Sequence, residues 1–300
     1  MIANHYIKSP LNYTGGKYKI LNHIIPTFPK HIHSFVDLFA GGLNVGINVN
    51  ADVIYVNDQI TYLINLYNYF MHENIETIIK KINTRIEEFK LSDTNTSGYL
   101  ALRDEYNKSK HILDLFVLTC FSFNHQIRFN NSHEFNTPFG KERSKYNATI
   151  EANLIAFVNS LQSKKIVLSN YDFLTFNFEN LKANDLVYCD PPYLITTGSY
   201  NDGKRGFKDW SDTEDRQLLE LLDRLNSKGI LFALSNVFYH KGQSNDMLIK
   251  WSKQYKVYYI DKSYSNCSYH FKNRNTKTIE VLITNYERRE PECQQMKLGL

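Results

Sequence analysis

The sequence predicts an α/β protein whose core is an open, mostly parallel sheet. Two observations support this class: short apolar segments rich in β-branched residues recur along the chain, and helical patterns lie between them. Their nearly continuous apolar character is typical of strands that are covered on both faces. The predicted strands are 34–39, 53–58, 165–170, 186–189, 229–235, 256–260 and 280–284.

One helix and one interruption organise the rest of the chain. Segment 213–226 has leucines near helical spacing and acidic residues in its first turn, where they favour the helix dipole. The region from about 60 to 163 breaks the alternation: it is predicted helical to about Arg103, and a polar, aromatic loop follows from Phe121 to Asn147. We therefore predict one discontinuous domain, 1–60 with 161–290, that carries an insert, 61–160, and ends in a frayed tail, 291–300.

Composition limits the class of protein without selecting a function. Lys and Arg total 35 against 31 Asp and Glu, and this net charge of +4 tolerates a polyanionic partner without requiring one. The 21 Tyr and 19 Phe suit base stacking, although an AT-rich genome would give the same counts. No metal site and no disulfide framework are predicted, because the spacing of Cys120, Cys189, Cys267 and Cys293 fits neither.

The sequence lacks a charged-then-apolar signal pattern at its start, and it contains no apolar run of about 18 residues. We therefore expect a cytoplasmic protein that has no membrane contact.

Four predicted strands are followed by residues suited to ligand binding: Gly41-Gly42, Asp58, Asp172 and Asp190. Ligands of open α/β sheets bind beyond the carboxyl ends of the strands. Glycine lets a ligand approach the backbone, and an acid after the second strand can bind ribose hydroxyls. Taken singly, Gly41-Gly42 is equally well explained as a tight turn, and Asp58 is better explained as a helix cap. The prediction of a site depends on their convergence.

The N-terminal segment 12–17, NYTGGK, fails the test for a phosphate-binding loop. Such a loop has Gly five residues before its Gly-Lys pair and Ser or Thr after it. Leu11 and Tyr18 occupy those two places. From the residues alone, the segment is a surface turn with Lys17 in solvent.

Segment 187–193, VYCDPPY, places an acid, two prolines and a tyrosine at the end of the fourth strand. The prolines stiffen the turn, and Pro191 keeps a carbonyl acceptor beside the Asp190 carboxylate. Two such acceptors suit a planar NH₂ group, and Tyr193 offers a flat face to an aromatic ring. A lone Asp-Pro-Pro is most simply a turn. The tyrosine and the position at a strand end favour a site for a nucleobase edge.

The motifs DPPY, DLFAGG (37–42) and NYTGGK together resemble those of the amino-group DNA methyltransferases, most of all the Dam-type (D12 class) N6-adenine family with its DpnII-type modification enzymes. Segment 123–140, FNHQIRFNNSHEFNTPFG, is similar to the insert of that family, and FALSNV and EVLITNY are similar to its C-terminal segments. The resemblance covers about 9–286. Leu43 departs from the last glycine of the family's cofactor motif, and Asn12 and Tyr13 stand where relatives have Lys and Trp.

The resemblance implies a Rossmann-like sheet of the S-adenosylmethionine-dependent methyltransferases with an inserted, mainly helical target-recognition domain. Tyr13 would then pack near the methionine end of the cofactor, Lys17 would bind its carboxylate, Asp58 its ribose and Asp172 its adenine amine. The resemblance further implies three sets of site residues. The cofactor set is Tyr13, Lys17, Phe39, Gly41, Asp58, Asp172 and Asp190; the catalytic set is Asp190, Pro191, Pro192 and Tyr193; the DNA-binding set is Asn124, Arg128, Asn136 and Pro138.

The implied reaction is methylation of adenine N6 in duplex DNA, within GATC. Asp190 and the Pro191 carbonyl would orient the amine, Tyr193 would stack on the extruded base, and Arg128 would read a guanine. The enzyme would be bacterial or phage-encoded, either partner to a restriction endonuclease or solitary. Methylation of cytosine N4, or of RNA or protein amide nitrogens, is less favoured, because those groups more often have Ser or Asn in place of Asp190. A catalytically inactive nucleic-acid-binding module is the other alternative.

Overall fold

The computed structural model describes residues 6–13, 15–130, 132–196, 210–260 and 278–288. The strands are β1 (Ser34–Asp37), β2 (Val53–Asn57), β3 (Ile166–Ser169), β4 (Leu186–Cys189), β5 (Leu231–His240), β6 (Gln243–Ser244), β7 (Lys256–Tyr259) and β8 (Thr278–Thr284). The helices are α1 (Leu21–Ile24), α2 (Thr61–His72), α3 (Ile75–Glu88), α4 (Thr96–Ser109), α5 (Ile112–Phe121), α6 (Ala148–Ser163), α7 (Asp212–Ser227) and α8 (Asp246–Trp251).

The strands described form one sheet in the order β3-β2-β1-β4-β5-β8-β7, with β6 paired to β5. The first five strands in this order, from β3 to β5, run parallel to one another. Strand β8 is antiparallel to β5, and β7 is antiparallel to β8. The chain order reverses between β1 and β4, and such a switch point opens a crevice beyond the carboxyl ends of the strands. The predicted α/β class with a mostly parallel sheet is confirmed.

Apolar side chains cover both faces of the sheet. Phe35 of β1 and Leu186 of β4 belong to one buried cluster, which also contains the insert helices. Their neighbours Val36 and Val187 belong to the cluster beneath α7. Because successive strand residues point to opposite faces, strands buried on both sides have no polar alternation. The short apolar runs of the sequence follow from this packing.

Strand boundaries differ from the predicted ones most clearly in β5. The predicted strand stops at Ser235, but β5 continues to His240 and pairs with β8 along this extension. The polar pair Ser235-Asn236 resembles a turn signal in the sequence, yet both residues are 1% exposed. Each is satisfied locally: the Ser235 hydroxyl bonds the Tyr188 hydroxyl at 2.8 Å, and Asn236 Oδ1 accepts from Val237 N at 2.7 Å. Strand β1, by contrast, ends at Asp37, two residues before its predicted end.

The helical part of the insert extends beyond its predicted end at Arg103. Helix α4 continues to Ser109, and α5 follows after Lys110, which has the left-handed conformation with φ of 54°. Helix α5 is mostly apolar, and its residues from Leu113 to Phe121 are all buried, so it lacks the amphipathic period that identifies a surface helix. The predicted loop after it contains two isolated bridges, Ser122 with Phe139 and Phe129 with Phe135. These bridges fold 121–140 back on itself, and we call this segment the hairpin loop.

No helix among the described residues is both long enough and apolar enough to span a membrane.

Candidate active site

The DPPY motif forms a partly buried corner directly after β4, with Pro191 buried, Asp190 and Tyr193 half-buried and Pro192 exposed. Tyr193 Oη donates to Asp190 Oδ1 at 3.0 Å, and the Lys17 ammonium lies 2.8 Å from the same oxygen. Lys17 also donates to the Gly15 carbonyl at 2.8 Å and lies 4.9 Å from the centre of the Tyr193 ring. With only 5% of its surface exposed, Lys17 is not the solvated lysine of a surface turn, and that interpretation of the sequence is wrong.

A second carboxylate, that of Glu280 on β8, reaches the same corner. Its Oε1 lies 3.3 Å from Tyr193 Oη and 3.8 Å from Lys17 Nζ. Sequence reasoning identified the strand but not this side chain. The corner is therefore a network of four side chains, in which Lys17 and Tyr193 each lie between the carboxylates of Asp190 and Glu280.

Burial dominates the electrostatics of the corner. It raises the pKa of Asp190, while the Lys17 ammonium and the hydrogen bond from Tyr193 oppose this rise. Burial likewise raises the pKa of Glu280, with Lys17 opposing and Asp190 reinforcing the rise. A further buried acid, Asp37 at the end of β1, has its pKa raised to about 7, chiefly by burial. The carboxyl edge of the sheet thus gathers three acids, two of which, Asp190 and Glu280, lie 2.8 Å and 3.8 Å from the Lys17 ammonium.

The loop after β1 is tied tightly to β2. Gly41 N donates to Asp58 Oδ2 at 2.8 Å, and Asp58 Oδ1 accepts from Ile60 N at 2.8 Å just before α2. Asp58 therefore joins the glycine loop to the start of the insert. It does not cap α2, because its bond reaches Ile60 N, before the first turn, and no side chain caps that helix, so the alternative of a helix cap is wrong. From α2, the Tyr67 hydroxyl donates to the Gly41 carbonyl at 2.5 Å.

Position 41 favours glycine. Its φ is +47°, a region that residues with a side chain rarely adopt, and a Cβ there would lie 3.0 Å from the Tyr13 ring. Tyr13 therefore packs directly against the backbone of the glycine loop. Burial raises the pKa of the Tyr13 hydroxyl, with Asp58 adding to the effect, so this hydroxyl stays protonated.

Three aromatic rings form a cluster beside this loop. The Phe39 ring lies 5.4 Å from Phe173 and 5.6 Å from Trp210, and the last two are 5.5 Å apart. Trp210 is held by its Nε1, which donates to the buried Asp215 at 3.0 Å. Asp172 directly precedes Phe173, and its Oδ1 accepts from Leu174 N at 2.9 Å. Phe173 and Trp210 were missed from the sequence, although the position of Phe173 next to Asp172 was a usable signal.

The hairpin loop brings the four predicted DNA-binding residues onto one folded segment. Asn136 N donates to the Arg128 carbonyl at 3.0 Å, and Phe123 N donates to the Pro138 carbonyl at 2.8 Å. The side chains of Asn124, Asn136 and Pro138 are exposed.

The base of the hairpin loop contacts the N-terminal segment. Asn12 Nδ2 donates to the Asn124 carbonyl at 2.8 Å. Exposed Lys141, Arg143 and Lys145 follow the loop, and the Arg143 guanidinium lies 5.6 Å from the centre of the exposed Phe123 ring. An aromatic and basic surface therefore adjoins the segment that leads to the corner.

Residues 13–266 match the family described as D12 class N6 adenine-specific DNA methyltransferase. The chain belongs to this family. The resemblance predicted from the DPPY, DLFAGG and NYTGGK motifs is thereby confirmed, and the sheet order agrees with the methyltransferase fold that it implied.

Relatives of this D12-class chain include modification enzymes and DNA adenine methylases. It is 52% identical over 284 residues to the Type II methyltransferase M.FokI of Planomicrobium okeanokoites. The aligned region covers 95% of this chain and 44% of that protein. It is 50% identical over 284 residues to the modification methylase StsI of Streptococcus sanguinis, at 94% and 43% coverage. The DNA adenine methylase of Haemophilus influenzae is 28% identical over 233 residues, and the aligned region covers 75% of this chain and 78% of that protein. The chain thus spans less than half the length of the first two.

The structure brings the predicted cofactor and catalytic residues of the D12-class chain to one edge of the sheet. Lys17 contacts Asp190, Gly41 contacts both Tyr13 and Asp58, and Phe39 packs on the residue after Asp172. The sequence missed Asp37, Glu280, Phe173 and Trp210, which complete this edge.

Proposed function

We propose that this chain transfers a methyl group from S-adenosylmethionine to N6 of adenine in duplex DNA. The observation that carries the proposal is the corner after β4, where an acid, a rigid proline carbonyl and an aromatic face stand beside a buried ammonium in a D12-class chain. These groups match the edge and the face of an extruded purine.

The chemistry of the side chains at this edge fits S-adenosylmethionine. The Lys17 ammonium would hold the carboxylate of its methionine part, and Tyr13 would pack beside that part. Asp58 would bind the ribose hydroxyls, while Phe39 and Gly41 would line the pocket. Asp172, beside the aromatic cluster, would accept from the adenine amine. When bound, the cofactor supplies an electrophilic methyl group.

Asp190 and Pro191 would activate the target amine by accepting hydrogen bonds from its two N–H groups. The adenine NH₂ is a weak nucleophile because its lone pair is delocalised into the ring, and two acceptors favour a pyramidal nitrogen with a directed lone pair. Among the described residues, all hydrogen bonds and ion pairs of the Asp190 side chain fall on Oδ1, which leaves Oδ2 to face the amine. Orientation can lower a barrier by roughly 7–11 kcal/mol, and one preset acceptor contributes about 3–4 kcal/mol.

Tyr193 would receive the base after it leaves the duplex. Extrusion of a paired base costs a few kcal/mol, and stacking on an aromatic ring recovers about 1–3 kcal/mol of it. Pro192 fixes the backbone that leads into Tyr193, so the ring is aimed by the same rigid turn that aims the Asp190 carboxylate.

We also propose the division of labour that the sequence predicted. Residues 1–60 and 161–290 would form the catalytic domain and 61–160 the target-recognition insert, which reads DNA through Asn124, Arg128, Asn136 and Pro138. Arg128 is the candidate for bidentate recognition of a guanine. Support comes from the hairpin loop, which gathers these four residues beside an exposed basic segment.

We propose GATC as the target, from the resemblance to the Dam group. We also propose that the functional partner is a restriction endonuclease. The role in a restriction system is supported by identities of 52% and 50% to M.FokI and the modification methylase StsI, against 28% to the DNA adenine methylase. Since recognition segments diverge faster than catalytic ones, the experiment must read the target without assuming it.

The test is to express the chain in a bacterial host that has no DNA methylase of its own and to map every modified base in the genome. The expected result is N6-methyladenine at one short sequence, absent from cells with the Asp190→Ala variant. Plasmid DNA from the same cells should resist a methylation-sensitive endonuclease that cuts GATC. Full cutting together with adenine methylation at another sequence would refute the GATC target and leave the proposed activity intact. Methylation of cytosine, or an unmodified genome despite abundant folded protein, would overturn the proposed function.

A further inference from the structure

The Glu280 carboxylate has a placement that the proposed reaction does not yet use. It projects from β8, the antiparallel strand next to β5, and reaches the loop after β4 across the sheet. Val237 of β5 pairs with Glu280 through the backbone, and Ile260 N donates to the Glu280 carbonyl at 3.1 Å. These backbone contacts do not depend on the side chain, so the fold itself does not require a carboxylate here.

Every hydrogen bond and ion pair recorded for the Glu280 side chain within the described segments is made to the corner. Its Oε1 lies 3.3 Å from Tyr193 Oη and 3.8 Å from Lys17 Nζ, and 29% of the side chain is exposed. Burying a second acid beside Asp190 is unfavourable unless its partners compensate. An apolar residue would complete β8 without this unfavourable burial of charge, so the strand alone does not explain an acid at position 280.

The Tyr193 hydroxyl has one proton and two carboxylate acceptors. In this structure it lies 3.0 Å from Asp190 and 3.3 Å from Glu280. When the target amine donates to Asp190, competition for that carboxylate increases, and the phenol can transfer its hydrogen bond to Glu280. Because Glu280 is attached to a sheet strand, the ring would keep its orientation during this exchange.

We propose that Glu280 is a positioning residue of the methyl-transfer site, which fixes the Tyr193 ring so that Asp190 is available to the target amine. This inference rests on the proposed function. The titratable groups that face Glu280 among the described residues are Lys17, Asp190, Tyr193 and, from β4, Tyr188. Lys17 balances one of the two carboxylate charges, and repulsion from Asp190 adds to the effect of burial in raising the pKa of Glu280.

Two substitutions separate the hydrogen bond from the charge. E280Q keeps an acceptor for Tyr193 but removes the charge, whereas E280A removes both. E287Q is the matched control, since Glu287 is 77% exposed and pairs with Lys256 at 2.7 Å, outside the corner. Single-turnover methylation of a duplex with the mapped target should fall at least about 10-fold in E280A, because misaligned reacting groups lose rate steeply. E280Q should recover most of the rate near pH 8, and E287Q should match wild type.

The pH profile distinguishes this role from a merely structural one. The acidic limb of the single-turnover rate should move to lower pH in E280Q, because a carboxyl that repels Asp190 when ionised has been removed. A second reading is independent of methyl transfer: 2-aminopurine at the target position reports stacking by its fluorescence lifetime. Both E280A and Tyr193→Ala should lose the short-lifetime, stacked fraction, and E280Q should keep it.

The outcomes separate this inference from the proposed function. If wild type methylates adenine but E280A equals it in rate and in stacking, the role of Glu280 is overturned alone. Equal impairment of E280A and E280Q near pH 8 also overturns it, because the hydrogen bond from Tyr193 to residue 280 would then contribute nothing to the rate. Should E280A fail to fold, an unshifted pH profile in E280Q decides against the proposal. A wild-type protein that methylates no adenine overturns the proposed function, and this inference with it.

Discussion

The Asp37 carboxyl allows a quantitative test of the electrostatics at the carboxyl edge. Asp37 ends β1, is 2% exposed, and accepts a hydrogen bond from Gly46 N at 2.9 Å. Its pKa is raised from 3.8 to about 7, mainly by burial, which the Gly46 bond opposes and which repulsion from Asp190 and Asp58 reinforces. Asp37→Asn keeps the shape and an oxygen acceptor for Gly46 and removes the titration.

The magnitude follows from the difference between the folded and unfolded pKa of Asp37. A rise of about 3 units at 1.36 kcal/mol each means that ionised Asp37 destabilises the fold by about 4 kcal/mol. Because the folded state holds the proton more tightly, this cost is absent below about pH 4, grows as pH rises and is complete above about pH 7. Between about pH 5.5 and pH 8, Asp37→Asn should gain about 2 kcal/mol relative to wild type.

Urea unfolding of both proteins at the two pH values measures this gain, provided that the slope against urea stays the same. Asp104→Asn is the control, because it makes the same change of side chain at an exposed position on α4. If Asp37→Asn shifts the free energy of unfolding by the same amount at both pH values, Asp37 is not protonated near neutrality and the argument from burial is refuted.

Three further substitutions test separate parts of the site, and a fourth is the control for the last of them. Asp190→Ala should abolish methyl transfer while calorimetry still detects S-adenosylmethionine binding; turnover by the variant would contradict the role of the acid. Arg128→Ala should reduce discrimination at one base pair by about 1–3 kcal/mol in competition binding, whereas uniform weakening on all sequences would indicate a phosphate contact. Tyr67→Phe deprives the Gly41 carbonyl of its donor and should lower the free energy of unfolding by about 1–3 kcal/mol. Tyr106→Phe should cost nothing, since that buried hydroxyl has no hydrogen-bond partner among the described residues, and equal losses in the two variants would refute the assignment.

The sequence predicted those parts of the site that local patterns encode. Strand β4 has its predicted bounds, and Asp190 follows it as expected, because an apolar run stopped by two prolines leaves few alternatives. Gly41 and Asp58 were placed at the ends of β1 and β2 by the same logic, and the structure links them at 2.8 Å. These positions depend on strand ends, which are marked in a single sequence.

Contacts between strands far apart in the chain could not be predicted in this way. Glu280 lies 87 residues after Tyr193, and it reaches the corner only because β8 runs antiparallel beside β5. A single acid within an apolar strand indicates a solvent-facing position as readily as a functional one. The burial of Lys17 was missed for a related reason: its partner Asp190 is distant in the sequence, and only the folded corner supplies the compensating charge.

The place of the insert explains how the proposed recognition segment can lie beside the proposed catalytic corner without disturbing the sheet. The insert leaves the sheet after Asp58 at the carboxyl end of β2 and returns through α6 to β3, which pairs with β2 in parallel. A parallel pair needs a crossover connection in any case, so a longer one leaves the pairing unchanged. The hydrogen bonds from Tyr67 to Gly41 and from Asn12 to Asn124 then hold the insert against the glycine loop and the N-terminal segment. Under the proposed function, DNA held by the hairpin loop is presented to the same edge that holds the acceptors for its base.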